Sequence, residues 1–174
     1  MNLNQNHFEL FGLAERFALD TAALEARYRE LQREVHPDRF AAAPLTEQRI
    51  SMQLATRVNE AYRTLKSPVK RAEYLLQLHG IDPQFETNTA MPPAFLAEQM
   101  QLRESLEEAV AANDVGRLAA LSAGLRTERD ALLATIRTQL DARSWEEAAA
   151  TLRQLMFLEK LGEEIGAAEE GMEY

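Results

Sequence analysis

The chain has no cysteine among its 174 residues. Disulfides, zinc ribbons and thiolate-ligated iron–sulfur sites are therefore excluded on this chain itself. The three histidines, His7, His36 and His79, stand apart without metal-ligand spacing, so neither a metal nor a cofactor is expected. Glycine and proline are scarce, at seven and six residues, which leaves long stretches free of helix breakers. Alternating apolar and polar runs bounded by turn residues are missing, and no sheet is expected. No apolar stretch approaches the ~20 residues needed to span a bilayer. The opening Met1-Asn2-Leu3-Asn4-Gln5-Asn6 is polar and uncharged, unlike a secretory signal or an Arg-rich transit peptide. A cytoplasmic location with no membrane partner is the expectation.

What is present is apolar content, helix formers and acid. The hydrophobic fraction of 46% suffices for a packed core. The net charge of −9 is unevenly placed: residues 1–80 carry +1 and residues 81–174 carry −10. Such a split suggests two modules with different partners. The acidic half argues against nucleic acid, which needs a basic face to displace counterions.

In the first half, His7–Gly12 reads as a short helix stopped near Gly12. Asp20 or Thr21 can cap a second helix running to about Val35, with Leu24, Tyr28, Leu31 and Val35 in one apolar stripe. Residues 39–46 read as a loop. A third helix is expected from near Thr46, which offers a cap, to Leu65, with Ala55, Val58, Tyr62 and Leu65 facing the second. Ser67-Pro68 reads as a cap with proline at the first helical position of a fourth helix ending at Leu78. Between the second and third helices stands His36-Pro37-Asp38.

A helix, a His-Pro-Asp turn and a second helix resemble the J-domain, the module that stimulates ATP hydrolysis by an Hsp70 chaperone. Two readings compete with it. One is an inert Asx-type turn. The other is general-base chemistry at His36 oriented by Asp38, but no phosphate loop, nucleophile motif or metal cluster accompanies the histidine. The resemblance implies an activator of a partner ATPase rather than an enzyme. It implies Hsp70 contacts at His36, Pro37 and Asp38 and on a basic helix face, here Arg27, Arg29 and Arg33, diluted by Glu25, Glu30 and Glu34.

Residues 81–93 carry Asp82-Pro83, Asn88 and Pro92-Pro93 without periodicity and read as a linker, in which Phe85 has the means to pin the halves together. Three helical segments follow, at about 94–112, 114–141 and 144–166, with short breaks that imply an antiparallel three-helix bundle. In the first of these, Phe95, Leu102, Leu106, Ala109 and Val110 form the core stripe. Leu96, Ala97 and Met100 fall on the opposite side and run into Gln101, Glu104, Glu107 and Glu108. A helix that buries one face has little use for an apolar patch on its back, so the patch reads as a partner surface. Phe157, off the stripe of the last helix, extends it. The alternative is that Leu96 and Met100 pack against the first module or Phe85.

Taken together, Leu10-Phe11-Gly12-Leu13, His36-Pro37-Asp38-Arg39-Phe40, Arg71-Ala72-Glu73-Tyr74-Leu75-Leu76, Leu78-His79-Gly80, Ala94-Phe95-Leu96, Leu102-Arg103-Glu104 and Phe157-Leu158-Glu159-Lys160-Leu161 resemble the HscB family of iron–sulfur cluster co-chaperones along nearly the whole chain. The resemblance implies an all-α, L-shaped protein: a J-domain over 1–80, a linker over 81–93 and a three-helix scaffold-binding domain over 94–174. It implies that the bundle binds the scaffold IscU through Leu96, Ala97, Met100, Glu104, Glu108 and Phe157. It further implies that the J-domain stimulates the Hsp70 HscA and that cluster transfer follows. Ala97 and Gln101 depart from the family pattern, where a larger apolar residue and an acid are common. Eukaryotic members carry an added cysteine-rich metal site, so this chain looks bacterial. The competing reading is an adaptor for a general Hsp70, its helical half serving another client or self-association.

Overall fold

The computed structural model describes residues 4–82 and 91–172. Phe85 and most of the expected linker lie outside the described residues. Among those described, the chain forms seven α-helices and one 3-10 turn, with no strand. Contacts divide it into two compact units, Met1–Leu78 and His79–Tyr174.

The first unit begins with α1 (His7–Phe11). Asn6 and Glu9 form a capping box, and Gly12 ends the helix in left-handed backbone at φ 64°, where a Cβ is unfavourable. Helix α2 (Thr21–Val35) starts at Asp20, whose carboxylate accepts from the N–H groups of Ala22 and Ala23. It buries Leu24, Leu31 and Val35, while Tyr28 is half-buried. A 3-10 turn (Pro37–Phe40) replaces part of the expected loop, and α3 (Leu45–Lys66) begins before Thr46. Thr46 is therefore not the cap. Pro44 holds that position without a side-chain bond, and its carbonyl takes the N–H groups of Glu47 and Gln48. Helix α3 buries Ser51, Val58, Ala61 and Leu65, and the pairs Ser51–Val35, Asn59–Tyr28 and Lys66–Glu25 set it antiparallel to α2.

Helix α4 (Pro68–Leu78) closes this unit, burying Val69, Ala72, Leu75 and Leu76. Its Arg71 is buried as well. The guanidinium donates to the Leu65 carbonyl at 2.6 Å and lies 4.9 Å from the Phe17 ring centroid, and burial pushes its pKa down. It thus neutralises a carbonyl at the C-terminal end of α3. Tyr74 stacks on His7 at 4.2 Å and accepts from the His7 backbone N–H at 3.0 Å. The Arg-Ala-Glu-Tyr-Leu-Leu stretch is the internal fastener of this unit.

The second unit is built from α5 (Pro93–Ala111), α6 (Val115–Asp141) and α7 (Trp145–Met172). Gln99 bonds Glu128 and Glu108 pairs with Arg117, so α5 and α6 are antiparallel. Leu125 meets Gly162 and Arg129 meets Glu159, so α6 and α7 are antiparallel too. Phe95, Leu106, Ala109, Leu118, Leu125, Leu158, Leu161 and Ile165 form the core that α5 shares. Val110 is exposed, contrary to the stripe expected from periodicity, and Val115 across the turn is exposed as well. They flank the turn at the bundle's end, where periodicity continues but no described element covers them. Helix α7 runs to Met172 rather than about 166, because Ala167-Ala168-Glu169-Glu170 contains no breaker and Ala168 packs on the core.

Candidate functional site

Two surfaces carry the expected site residues, one on each unit. The first is the His-Pro-Asp turn. His36 adopts φ −58°, ψ 127°, the extended conformation that a following proline favours, and this ends α2. Its Nδ1 accepts from the Asp38 backbone N–H at 3.3 Å and lies 3.6 Å from the Asp38 carboxylate. Accepting at Nδ1 places the proton of the neutral ring on Nε2. The His36 and Asp38 side chains are 58% and 92% exposed, so the turn displays them rather than enclosing a substrate. Arg39 donates to the Arg33 carbonyl at 3.2 Å, and Ser51 Oγ reaches the Val35 carbonyl at 3.4 Å. Both bonds finish the end of α2 and stiffen the turn's base.

The three expected arginines divide. At 100° per residue Arg29, Gln32, Arg33 and His36 share one stripe of α2. Together with Pro37, Arg39, Ala55 and Asn59 they line a groove. Arg27 lies on another face, 3.0 Å from Glu30 and 3.7 Å from Glu34. The structure therefore joins Arg29 and Arg33 to the turn and leaves Arg27 apart on its own face; Arg29 also has a carboxylate neighbour, Glu25 at 3.9 Å. Gln32, Asn59 and Arg39 were not among the expected site residues. The i, i+3, i+4, i+7 spacing of 29, 32, 33 and 36 is the signal that finds Gln32. Asn59 comes from α3 and has no such signal.

The second surface is the back of α5. Leu96 is 39% exposed and Met100 65% exposed, and Ala97, Glu104 and Glu108 are also exposed. These five residues share one arc of the helix. Phe85, named in the packing alternative for Leu96 and Met100, lies outside the described residues. Glu108 is held by Arg117 at 2.6 Å, while Glu104 lies along the patch. Glutamates in the last two turns of a helix oppose its macrodipole, and no basic residue occupies the last turn of α5. Glu108 has a structural reason in its ion pair with Arg117, whereas the dipole of α5 gives none for Glu104.

Phe157 is a mixed case. It is half-buried, packs on the core and meets Phe95 edge-on at 6.0 Å. It belongs partly to the fold, so it does not simply extend an exposed patch. Arg103 was quoted in a motif but not assigned to the site. Its guanidinium lies 5.5 Å from the Phe157 ring centroid and 3.1 Å from Glu164, and it links the α5 patch to α7. On the opposite side of α5, Gln99 is buried and donates to Glu128 at 3.1 Å. Burial pushes the Glu128 carboxyl up, the Gln99 bond opposes this, and Glu98 adds to it.

Among the described residues no group of three or more His, Asp or Glu is placed to hold a metal ion. No described helix is long and apolar enough to cross a membrane. Comparison with known proteins matches both halves of the chain. Residues 6–74 fit the family model of the DnaJ domain, and residues 91–166 fit that of the HSCB C-terminal oligomerisation domain. The co-chaperone protein HscB homolog of Burkholderia multivorans is 54% identical over 173 residues, covering 99% of each chain. That of Burkholderia thailandensis is 53% identical over 174 residues, covering 100% of this chain and 99% of its own. Among solved structures, chaperone HscB from Vibrio cholerae aligns at a TM-score of 0.87 and 40% identity, over 97% of this chain and 99% of that one. Human co-chaperone HscB aligns at a TM-score of 0.89 and 32% identity, over 96% and 83%.

Proposed function

This chain belongs to the HscB family of co-chaperones, which serve iron–sulfur cluster assembly with an Hsp70 partner, and we propose that it works as a two-sided adaptor between the scaffold IscU and the Hsp70 HscA. The turn His36-Pro37-Asp38 with Arg29 and Arg33 docks on HscA. Leu96, Ala97, Met100 and Glu104, flanked by Phe157 and Glu108, take the scaffold. ATP hydrolysis occurs on the Hsp70, this chain contributes no catalytic group, and we place the activity in the cytoplasm. Arg27 is left out of the docking set because it does not line the groove beside the turn.

The observation that carries the reading is the exposed apolar back of α5. The helix buries Phe95, Leu106 and Ala109 on one side, yet leaves Met100 exposed and Leu96 part-exposed on the other. That arrangement stabilises nothing in the free chain and suits the apolar centre of an interface, with Glu104 at its rim. Holding both partners on one chain raises the scaffold's effective concentration at the chaperone. For the turn to accelerate hydrolysis, it must bind the hydrolysis-competent Hsp70 state more tightly than the resting one.

The test is a single-turnover ATPase assay of HscA with and without IscU. Wild type is expected to stimulate alone and further with the scaffold. His36→Gln is expected to fold, because its side chain is exposed, and to lose both effects. Near-normal stimulation by this variant would falsify the docking assignment. The matched oligomerisation model favours one second reading, in which the α5 face joins copies of this chain. Sedimentation of the wild type against Met100→Glu separates the two: a dimer that dissociates in the variant supports self-association, and a monomer in both supports scaffold capture.

A further inference from the structure

A directional chain of hydrogen bonds crosses from α3 to α2 beside the docking groove. Tyr28 Oη lies 2.8 Å from Asn59 Oδ1, and Gln32 Nε2 lies 2.7 Å from Tyr28 Oη. A phenol carries one proton and a side-chain amide oxygen only accepts. Tyr28 therefore donates to Asn59 and accepts from Gln32. This sense fixes the Gln32 amide: its nitrogen is turned to Tyr28, and its Oε1 remains available as an acceptor. The Tyr28 ring is itself held, stacked on Tyr62 at 3.9 Å with the planes 6° apart.

Gln32 is exposed and lines the groove together with Arg29, Arg33 and His36. An exposed glutamine ordinarily samples many rotamers and loses that freedom on binding. Here the chain through Tyr28 has removed much of it beforehand. The groove thus carries guanidinium donors at Arg29 and Arg33 and one oriented acceptor on the same stripe of α2.

We propose that Gln32 Oε1 is a recognition atom of the Hsp70-docking groove, accepting a hydrogen bond from an N–H donor on the chaperone, and that Tyr28 and Asn59 are positioning residues that aim it. The proposal rests on the docking reading above and deepens it. A groove of positive charge alone favours any acidic surface. An oriented acceptor on the same stripe selects an acidic surface that also carries a donor at one place. Against a surface without that donor, Oε1 is desolvated and left unpaired, which disfavours the wrong partner.

The experiment measures single-turnover ATPase stimulation of HscA against co-chaperone concentration for Tyr28→Phe, Gln32→Met and the double variant. His36→Gln serves as reference for the docking reading. Tyr28→Phe keeps the ring stack and removes only the hydroxyl. Each single variant is expected to raise the half-saturating concentration about three- to tenfold, the range of one net hydrogen bond. For Tyr28→Phe the loss falls on that concentration and not on maximal stimulation. The double variant is expected to be no worse than the weaker single one, since both break the same chain. In ¹⁵N spectra the Gln32 side-chain amide pair is expected at a distinct position in the wild type and at the solvent-exposed position in Tyr28→Phe. Half-saturating concentrations unmoved in Gln32→Met, or losses that multiply in the double variant, overturn the proposal. If His36→Gln is inactive while Gln32→Met binds normally, only this inference falls. If His36→Gln stimulates normally, the docking reading falls with it. Should Tyr28→Phe unfold, Gln32→Met and the wild-type amide spectrum decide alone, because Gln32 lies on the surface.

Discussion

Asn113 and Arg143 do the same work at two helix ends and differ in how well they suit it. Both stand at positive φ, 51° and 59°, where the chain leaves α5 and α6. Asparagine tolerates left-handed backbone and arginine does not. Glycine removes a penalty of ~1–2 kcal/mol for such backbone and adds ~0.5–1 kcal/mol of chain entropy to the unfolded state. Arg143→Gly is therefore expected to stabilise by about 0.5–1 kcal/mol, and Asn113→Gly to change little, as read by chemical denaturation. A second residue makes stability depend on pH. His7 has a lowered pKa, because burial disfavours its charged form and Arg57 adds to this, with Glu60 opposing. Its Nδ1 is buried without a hydrogen-bond partner. A depressed folded pKa means that the unfolded chain binds more protons below the ordinary histidine value. Stability from this group is present above the ordinary histidine value of 6.5 and is lost as pH falls through the folded pKa. His7→Phe keeps a ring against Tyr74 and cannot titrate. The melting temperature of the wild type relative to this variant is expected to drop between pH 7.5 and pH 5, and a constant difference would contradict the assignment.

Helix α5 separates stability from binding within one element, because its two faces have different occupants. Met100→Ala removes a largely exposed side chain and Leu96→Ala a part-exposed one, so stability should shift by about 1 kcal/mol or less. Scaffold affinity should fall by several kcal/mol if these are interface anchors of ~2 kcal/mol each. Phe157→Ala behaves differently. Its ring contacts Phe95 and Arg103, so truncation should cost stability, at or below the ~3–5 kcal/mol of a fully buried phenylalanine. Calorimetry with IscU and thermal unfolding of the same variants check both statements. Large destabilisation from Leu96→Ala and Met100→Ala with intact affinity would reverse the assignment. The exposed arc of α5 was legible from 100° arithmetic alone, as were α1, α2 and α4, whose caps and breakers are local in sequence. Three features were not. Val110 and Val115 obey the period, but a helix period does not say where the partner helix ends. Phe157 lies off its own stripe, and only the angle of α7 against Phe95 decides how much of it is covered. The Tyr28–Asn59 bond joins residues on different helices and leaves no pattern in either. Arg27 shows the reverse: 100° arithmetic alone sets it on a different face from Arg29, Arg33 and His36.

At the scale of the whole chain, two units each hold their own buried set, and this decides what tethering contributes. The first unit buries Phe8, Phe11, Leu24, Leu31, Val58, Leu65 and Leu76, and the second buries Leu118, Ile136, Leu152, Leu158 and Leu161. Residues 1–78 alone are thus expected to give a cooperative helical melt, with some loss of stability because small domains are marginal. That fragment keeps the turn, the groove and the Gln32 chain, so it should stimulate HscA at a half-saturating concentration close to that of the full chain when no scaffold is present. It has no α5, so adding IscU should give no further stimulation. The sharper outcome concerns adding residues 79–174 in trans. The fragment should still bind IscU, because the α5 face and its supporting core are intact within it. It should not restore synergy at micromolar concentrations, because a covalent tether supplies an effective concentration near millimolar and two free fragments do not. Restored synergy in trans would mean that the second unit acts by changing the scaffold or the chaperone directly. Lost synergy, with both fragments folded and binding, leaves the covalent connection as the functional element that joins a docking turn to a client surface.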